Sequence, residues 1–223
     1  MLTLQLQRER SLQTSIGPLS YLLYQPPGFA AEPRPLLLFL HGIGERGSEL
    51  QRVATHGIPA LIERGKNFPF ITVSPQCPAD RTWGELTEGL LDLLDTVVST
   101  LRADPTRIYL SGISMGAFGA WKLAAHAPGR FAALVPICGG ADDSWAPTLA
   151  HLPTWVFHGA LDPVVPVETS RRMVRALKAQ NAPVMLTVYE NLPHECWDHA
   201  YQDTGLFEWL LSRRNLPEAP ARS

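Results

Sequence analysis

Apolar and polar positions along the 223-residue chain form short apolar runs, separated by stretches where apolar residues recur at helical spacing. The runs are LLLFLHG at 36–42, FPFITVSP at 68–75, RIYLSG at 107–112, FAALVPICGG at 131–140, PTWVFHG at 153–159 and PVMLTVYE at 183–190. They are continuous rather than alternating, as expected of strands covered on both faces. Between them, Leu86 to Leu101, Met115 to Ala127 and Val167 to Gln180 carry helical patterns, the last with Arg on its outer face. Leu2 to Leu6 and Leu19 to Tyr24 are predicted as an antiparallel pair turning near Gly17-Pro18, with a Pro-rich loop at 25–35 behind them.

Strand alternating with helix predicts an α/β fold: a mostly parallel twisted sheet of about eight strands flanked by helices. The connection from Cys138 to Pro153 has room for at most one small helix, so no large cap is expected. Without an internal repeat or linker, 1–223 reads as one domain.

Composition adds exclusions. The hydrophobic fraction of 45% suits a protein with a core, and a formal net charge of -2 without a Lys/Arg cluster gives no footprint for nucleic acid or an anionic membrane. No apolar run approaches the roughly 20 residues of a membrane span. The N-terminus MLTLQLQRERS has no continuous apolar stretch of the signal-peptide kind. Cys77, Cys138 and Cys196 form no CxxC pair and read as free thiols. A cytoplasmic location is therefore expected, with no stable membrane association; a homodimer is compatible with this reading.

In an open parallel sheet, function collects beyond the C-terminal ends of the strands. Gly112-Ile113-Ser114-Met115-Gly116 matches G-x-S-x-G, at a passage from strand to helix too tight for side chains at 112 and 116. The turn would hold Ser114 in a strained conformation with its hydroxyl above the sheet edge; Gly119 would let the helix lie close to its strand. A serine nucleophile needs a base. His41 and His158 precede glycine at strand ends, where imidazoles brace turns; His56 and His151 fall in loops, and His126 at a helix end. His194 follows the last strand and is the favoured base, with His199, placed in the final helix, as its rival. Asp162 is the favoured orienting acid, with Asp142 and Asp143 as competitors. The N–H groups of Met115 and Ile43 would receive an oxyanion, Gly42 and Gly44 letting the loop at 43 curl inward.

LLLFLHGIGERG, GISMGAFGAWKLAAHAPGRFAALVPICGG, VFHGALDPVVP and PHECWDHAY, in that order, resemble the α/β-hydrolase superfamily. More narrowly, the chain resembles its small carboxylesterases of the phospholipase/carboxylesterase and dienelactone-hydrolase-like group, from about residue 36 to 210. The resemblance implies Ser114 as nucleophile, Asp162 as acid and His194 as base, in the superfamily's chain order. It implies Ile43 and Met115 as the oxyanion hole, a small-molecule ester as substrate, and no cofactor or metal. The HGxGERG loop and Trp197 look like a subgroup of predicted esterases and peptidases. Trp83, Trp145, Phe118 and Trp197 are the candidates for a substrate pocket; Glu45 and Arg46 would bind a polar substrate group or pair with each other. The alternatives are a serine peptidase or amidase with the same triad, and a non-catalytic hydrolase-fold binding protein.

Overall fold

The computed structural model describes residues 6–28 and 32–215. The chain opens with β1 (Arg8–Thr14), β2 (Gly17–Tyr24) and β3 (Arg34–Leu40), then α1 (Gly57–Glu63) and β4 (Ile71–Pro75). Next come α2 (Thr87–Thr100), β5 (Ala103–Ile113), α3 (Met115–His126), β6 (Ala133–Ile137) and α4 (Ala146–Leu149). β7 (Thr154–Gly159), α5 (Glu168–Ala179), β8 (Val184–Tyr189), α6 (Trp197–Gln202) and α7 (Thr204–Leu211) complete it. Among the described residues, eight strands form one sheet in the order β1-β2-β4-β3-β5-β6-β7-β8. β2 runs antiparallel to β1 and β4, and the pairs from β4 to β8 are parallel.

Every continuous apolar run became a strand, because both faces of the sheet are covered. Leu36, Leu38 and Leu40 point to the side packed by α2, α3 and α5, and Leu37 and Phe39 to the side packed by α1, α6 and α7. Side chains alternate across a strand, so a run feeding two cores is apolar at every position. Each fully buried leucine contributes about 1.5–3 kcal/mol of transfer free energy.

Three expectations need correction. The strand that pairs with the Leu19–Tyr24 segment is Arg8–Thr14; of the expected Leu2–Leu6, residues 2–5 lie outside the described residues, and Leu6 sits in a bend. β1 is an edge strand whose RERSLQT side chains are mostly exposed, so no apolar alternation marks it. It turns at Ser15 and Ile16, ahead of Gly17-Pro18, which belong to β2. The pattern also gave no helix between β3 and β4. α1 is seven residues, contains Gly57 and Pro59, and is buried at most positions, which removes helical periodicity. The parallel pairing of β3 with β4 nevertheless demands such a crossover. Third, the segment after β6 holds two short helical pieces, a 3-10 turn at Asp143–Trp145 and α4. No large cap is inserted there.

The chain runs from β3 to β4 on one side and on to β5 on the other, so the topological switch lies at the C-terminal end of β3. Leu40 pairs with Gly112, which brings the loop after β3 beside the turn after β5. A crevice at this position is where open α/β sheets place their ligands. No helix among the described residues is long and apolar enough to cross a membrane.

Candidate active site

Ser114 occupies the single residue between β5 and α3, with φ 51 and ψ -118. This left-handed region is costly for a residue with a side chain, by about 1–3 kcal/mol. The fold holds it: the Ser114 N–H donates to the Ile137 carbonyl of β6 at 2.9 Å, while Ala117 N–H donates to the Ser114 carbonyl at 2.9 Å. A Cβ on Gly112 would overlap the Gly116 carbonyl, as the motif implied. A Cβ on Gly116 would instead overlap the Leu40 carbonyl of β3, so that glycine answers to the neighbouring strand. Gly116→Ala therefore forces backbone apart in the sheet, and it is expected to cost roughly 3 kcal/mol or more. A urea midpoint equal to that of the wild type would contradict this packing.

Gly119 does not serve the role the sequence suggested. A Cβ there would overlap Trp83 Cβ, so this glycine admits the tryptophan rather than the strand. The Trp83 indole N–H donates to the His41 carbonyl at 2.9 Å. His41 is a brace, as expected of an imidazole before glycine: its Nδ1–H donates to the Gly42 carbonyl at 2.6 Å and its Nε2 accepts from Cys77 N–H at 3.0 Å. Burial lowers its pKa to about 4, against the opposing pull of the Gly42 carbonyl, so the ring is neutral.

Of the candidate bases, His194 reaches the serine. Its Nε2 lies 2.9 Å from Ser114 Oγ, and its Nδ1 lies 2.6 Å from Asp162 Oδ2. A carboxylate only accepts, so Nδ1 carries the proton and Nε2 turns its lone pair to the serine hydroxyl. The rival His199 sits in α6, which is not the final helix, with its ring 5.9 Å from that of Tyr189. The competing aspartates are employed elsewhere: Asp142 caps the Ser144 N–H at 2.9 Å, and Asp143 pairs with Arg172 at 2.8 Å.

The Asp162 side chain is 0% exposed and fully engaged. Oδ1 accepts from Val164 N–H and Val165 N–H, each at 2.8 Å, and Oδ2 accepts from His194. Burial alone would raise its pKa; the hydrogen bonds from His194, Val165 and Val164 outweigh burial and hold the carboxyl below the usual carboxylate range. Oδ2 also faces a contact that motif reading missed, His158 Nε2 at 3.1 Å. The available signal was the spacing of His158 and Asp162 on one strand end.

Ile43 opens a 3-10 helix and Met115 opens α3. First-turn N–H groups have no acceptor within their helix, and among the described residues neither has one elsewhere. Gly42 is tight, since a Cβ there would come to 3.2 Å from Glu45 Oε2 and 3.8 Å from Ser114 Cβ, whereas Gly44 has open space. Gly42 therefore shapes this loop, and Gly44 is not required by space or by φ.

A cavity of about 670 Å³ opens beside Ser114. Trp83, Trp145, Phe118 and Met115 line it, together with Ile43, Val164 and Lys122. Ile43 and Val164 are 60% and 65% exposed, apolar side chains left open at the mouth. Trp197 does not line the cavity. It meets the His194 ring edge-on at 5.9 Å and the His56 ring at 5.3 Å, so it packs beside the imidazole. Its place three residues after the histidine suggested proximity; the start of α6 turned it under the ring. Glu45 and Arg46 neither pair nor line the cavity. Glu45 is buried between His41 and His56 at 3.8 and 3.7 Å. Arg46 donates to the Ile43 and Arg81 carbonyls at 3.4 and 3.2 Å.

Residues 21–179, more than half of the chain, match the Esterase family, described as "Putative esterase". Poly(3-hydroxyalkanoate) depolymerase C of Paucimonas lemoignei is 30% identical over 142 residues, which cover 57% of this chain and 33% of that protein. The chain thus spans about a third of that relative's length. The crystal structure of a thermostable esterase is 29% identical with a TM-score of 0.81, over 96% of this chain and 64% of that one. The acylaminoacyl peptidase of Pyrococcus horikoshii is similar at 16% identity, with a TM-score of 0.74 over 97% of this chain and 43% of that one; this likeness concerns the fold alone.

Proposed function

The chain belongs to the Esterase family, and from that premise we propose that it hydrolyses small carboxylic esters through an acyl-enzyme, with Ser114, His194 and Asp162 as its triad. One observation carries the reading: a single imidazole lies 2.9 Å from the Ser114 hydroxyl and 2.6 Å from a buried carboxylate. His194 Nε2 takes the hydroxyl proton as Ser114 Oγ attacks the ester carbonyl, and Asp162 stabilises the imidazolium. The Ile43 and Met115 N–H groups receive the oxyanion; a donor of this kind is worth roughly 10²–10³ in kcat. The imidazolium returns its proton to the departing alcohol. Water, deprotonated by the same Nε2, then attacks the acyl carbonyl, and collapse releases the acid and restores Ser114.

The apolar cavity suits an acyl or aryl arm of modest size. Its open mouth, without a large cap, favours soluble esters over a lipid surface. The Asp162 carboxyl is held below its ordinary pKa, so it is ionised at neutral pH and available to the imidazole. A base must be unprotonated to accept the serine proton, so kcat/KM is expected to fall on the acid side.

The test is a paired assay of 4-nitrophenyl butyrate and butyryl 4-nitroanilide at one pH. An ester preference of about 100-fold or more in kcat/KM is expected, since the anilide demands protonation of a far poorer leaving group. Comparable rates would turn the reading to an amidase. No turnover of either, together with no labelling by a fluorophosphonate, would turn it to a binding protein.

A further inference from the structure

A second imidazole reaches the Asp162 carboxylate from behind, and no step above uses it. His158, near the end of β7, is 0% exposed. Its Nε2 lies 2.8 Å from the Val165 carbonyl and 3.1 Å from Asp162 Oδ2. Both neighbours only accept, so Nε2 carries a proton and donates a three-centre bond to them. Its Nδ1 lies 2.7 Å from Ser170 Oγ, and the same hydroxyl lies 3.0 Å from the Gly139 carbonyl.

The Ser170 proton can go to one of these two, and the charge of the ring decides which. Burial drives the His158 pKa below the ordinary imidazole value, against the Val165 carbonyl and the Asp162 charge. A neutral ring protonated at Nε2 needs a donor at Nδ1, and Ser170 supplies it. The chain of bonds then runs from Ser170 through His158 to the acid.

We propose that His158 is a positioning residue, donating its Nε2–H to the same Asp162 oxygen that receives His194 Nδ1–H, and so setting how basic His194 is. The inference rests on the triad reading given above. Four donors then surround the carboxylate, two backbone N–H on Oδ1 and two imidazole N–H on Oδ2. The acid cannot turn away from His194, and its charge is divided between two rings. With one ring removed, the whole of Oδ2 would act on His194 and favour its imidazolium. Among the described residues, the other titratable groups whose charge acts on Asp162 are the thiols of Cys138 and Cys196, both buried; burial raises the Cys138 pKa and keeps that thiol neutral.

His158→Phe and His158→Gln separate this role from packing alone. Phe keeps a ring without an N–H, and Gln keeps an N–H that can reach the carboxylate. In His158→Phe the acid limb of kcat/KM for 4-nitrophenyl butyrate is expected to move to higher pH by ~0.5–1 unit, a fraction of one charge-assisted hydrogen bond. In His158→Gln the limb is expected to stay at its wild-type position, with KM unchanged. Loss of melting temperature in both variants without movement of the limb would overturn the proposal. Should the Phe variant not fold, ¹⁵N-histidine spectra of the wild-type protein decide between about pH 6 and 8. They are expected to show His158 protonated at Nε2 and not at Nδ1, and the opposite tautomer would sink the proposal. Those spectra read the hydrogen bond without turnover, so a failure of the esterase reading in the paired assay is distinguishable from a failure here.

Discussion

Ser114→Ala is expected to reduce kcat for 4-nitrophenyl butyrate by about 10⁵-fold or more while leaving the protein folded, because removal of a serine nucleophile costs on this order. The Ser114 hydroxyl has one side-chain partner, His194 Nε2 at 2.9 Å, and the turn around it is held by backbone bonds that alanine keeps. Alanine at φ 51 is strained much as serine is, so melting temperature should move by only a few degrees. Fluorophosphonate labelling should vanish with the activity. A variant that kept more than about a thousandth of the wild-type rate would mean another group attacks the ester, and the triad would be wrong.

Asp162→Asn comes next in size, with kcat expected to fall by about 10³–10⁴-fold. The reason is the direction of hydrogen bonds rather than the loss of charge alone. Val164 N–H and Val165 N–H both point at Oδ1, so the new amide must turn its oxygen to them and its NH₂ to Oδ2's place. That NH₂ faces His194 Nδ1 and compels Nδ1 to accept. The remaining proton then sits on Nε2, aimed at the Ser114 hydroxyl, and the imidazole can no longer take a proton from it. Steady-state kinetics alongside circular dichroism measure the effect, and a fall of less than about 10-fold would show that Asp162 does not set the tautomer.

Much of the candidate site's geometry was legible because its parts carry local signatures. Gly112, two residues before Ser114, marks a turn with no space for a side chain, and the histidine and aspartate follow apolar runs that end at one edge of the sheet. The pocket was legible in part. Trp83, Trp145 and Phe118 line the cavity, while Trp197 lies beside the imidazole, because a tryptophan near a strand end can face either way. Glu45 gave no signal of its burial: a charged residue in a Gly-rich loop looks exposed until two histidines from separate segments enclose it.

By itself, the order of apolar residues determined the α/β layering, since strands buried on two faces need unbroken apolar runs and the amphipathic segments between them can only be helices. It also determined which short turn holds the serine, since steric exclusion at Gly112 acts within a few residues. Only the tertiary structure decided which histidine meets Ser114, what Gly116 and Gly119 make room for, and that two imidazoles share one Asp162 oxygen. These contacts join residues up to 80 positions apart. Their geometry comes from strand register and helix packing, which no local pattern of residues records.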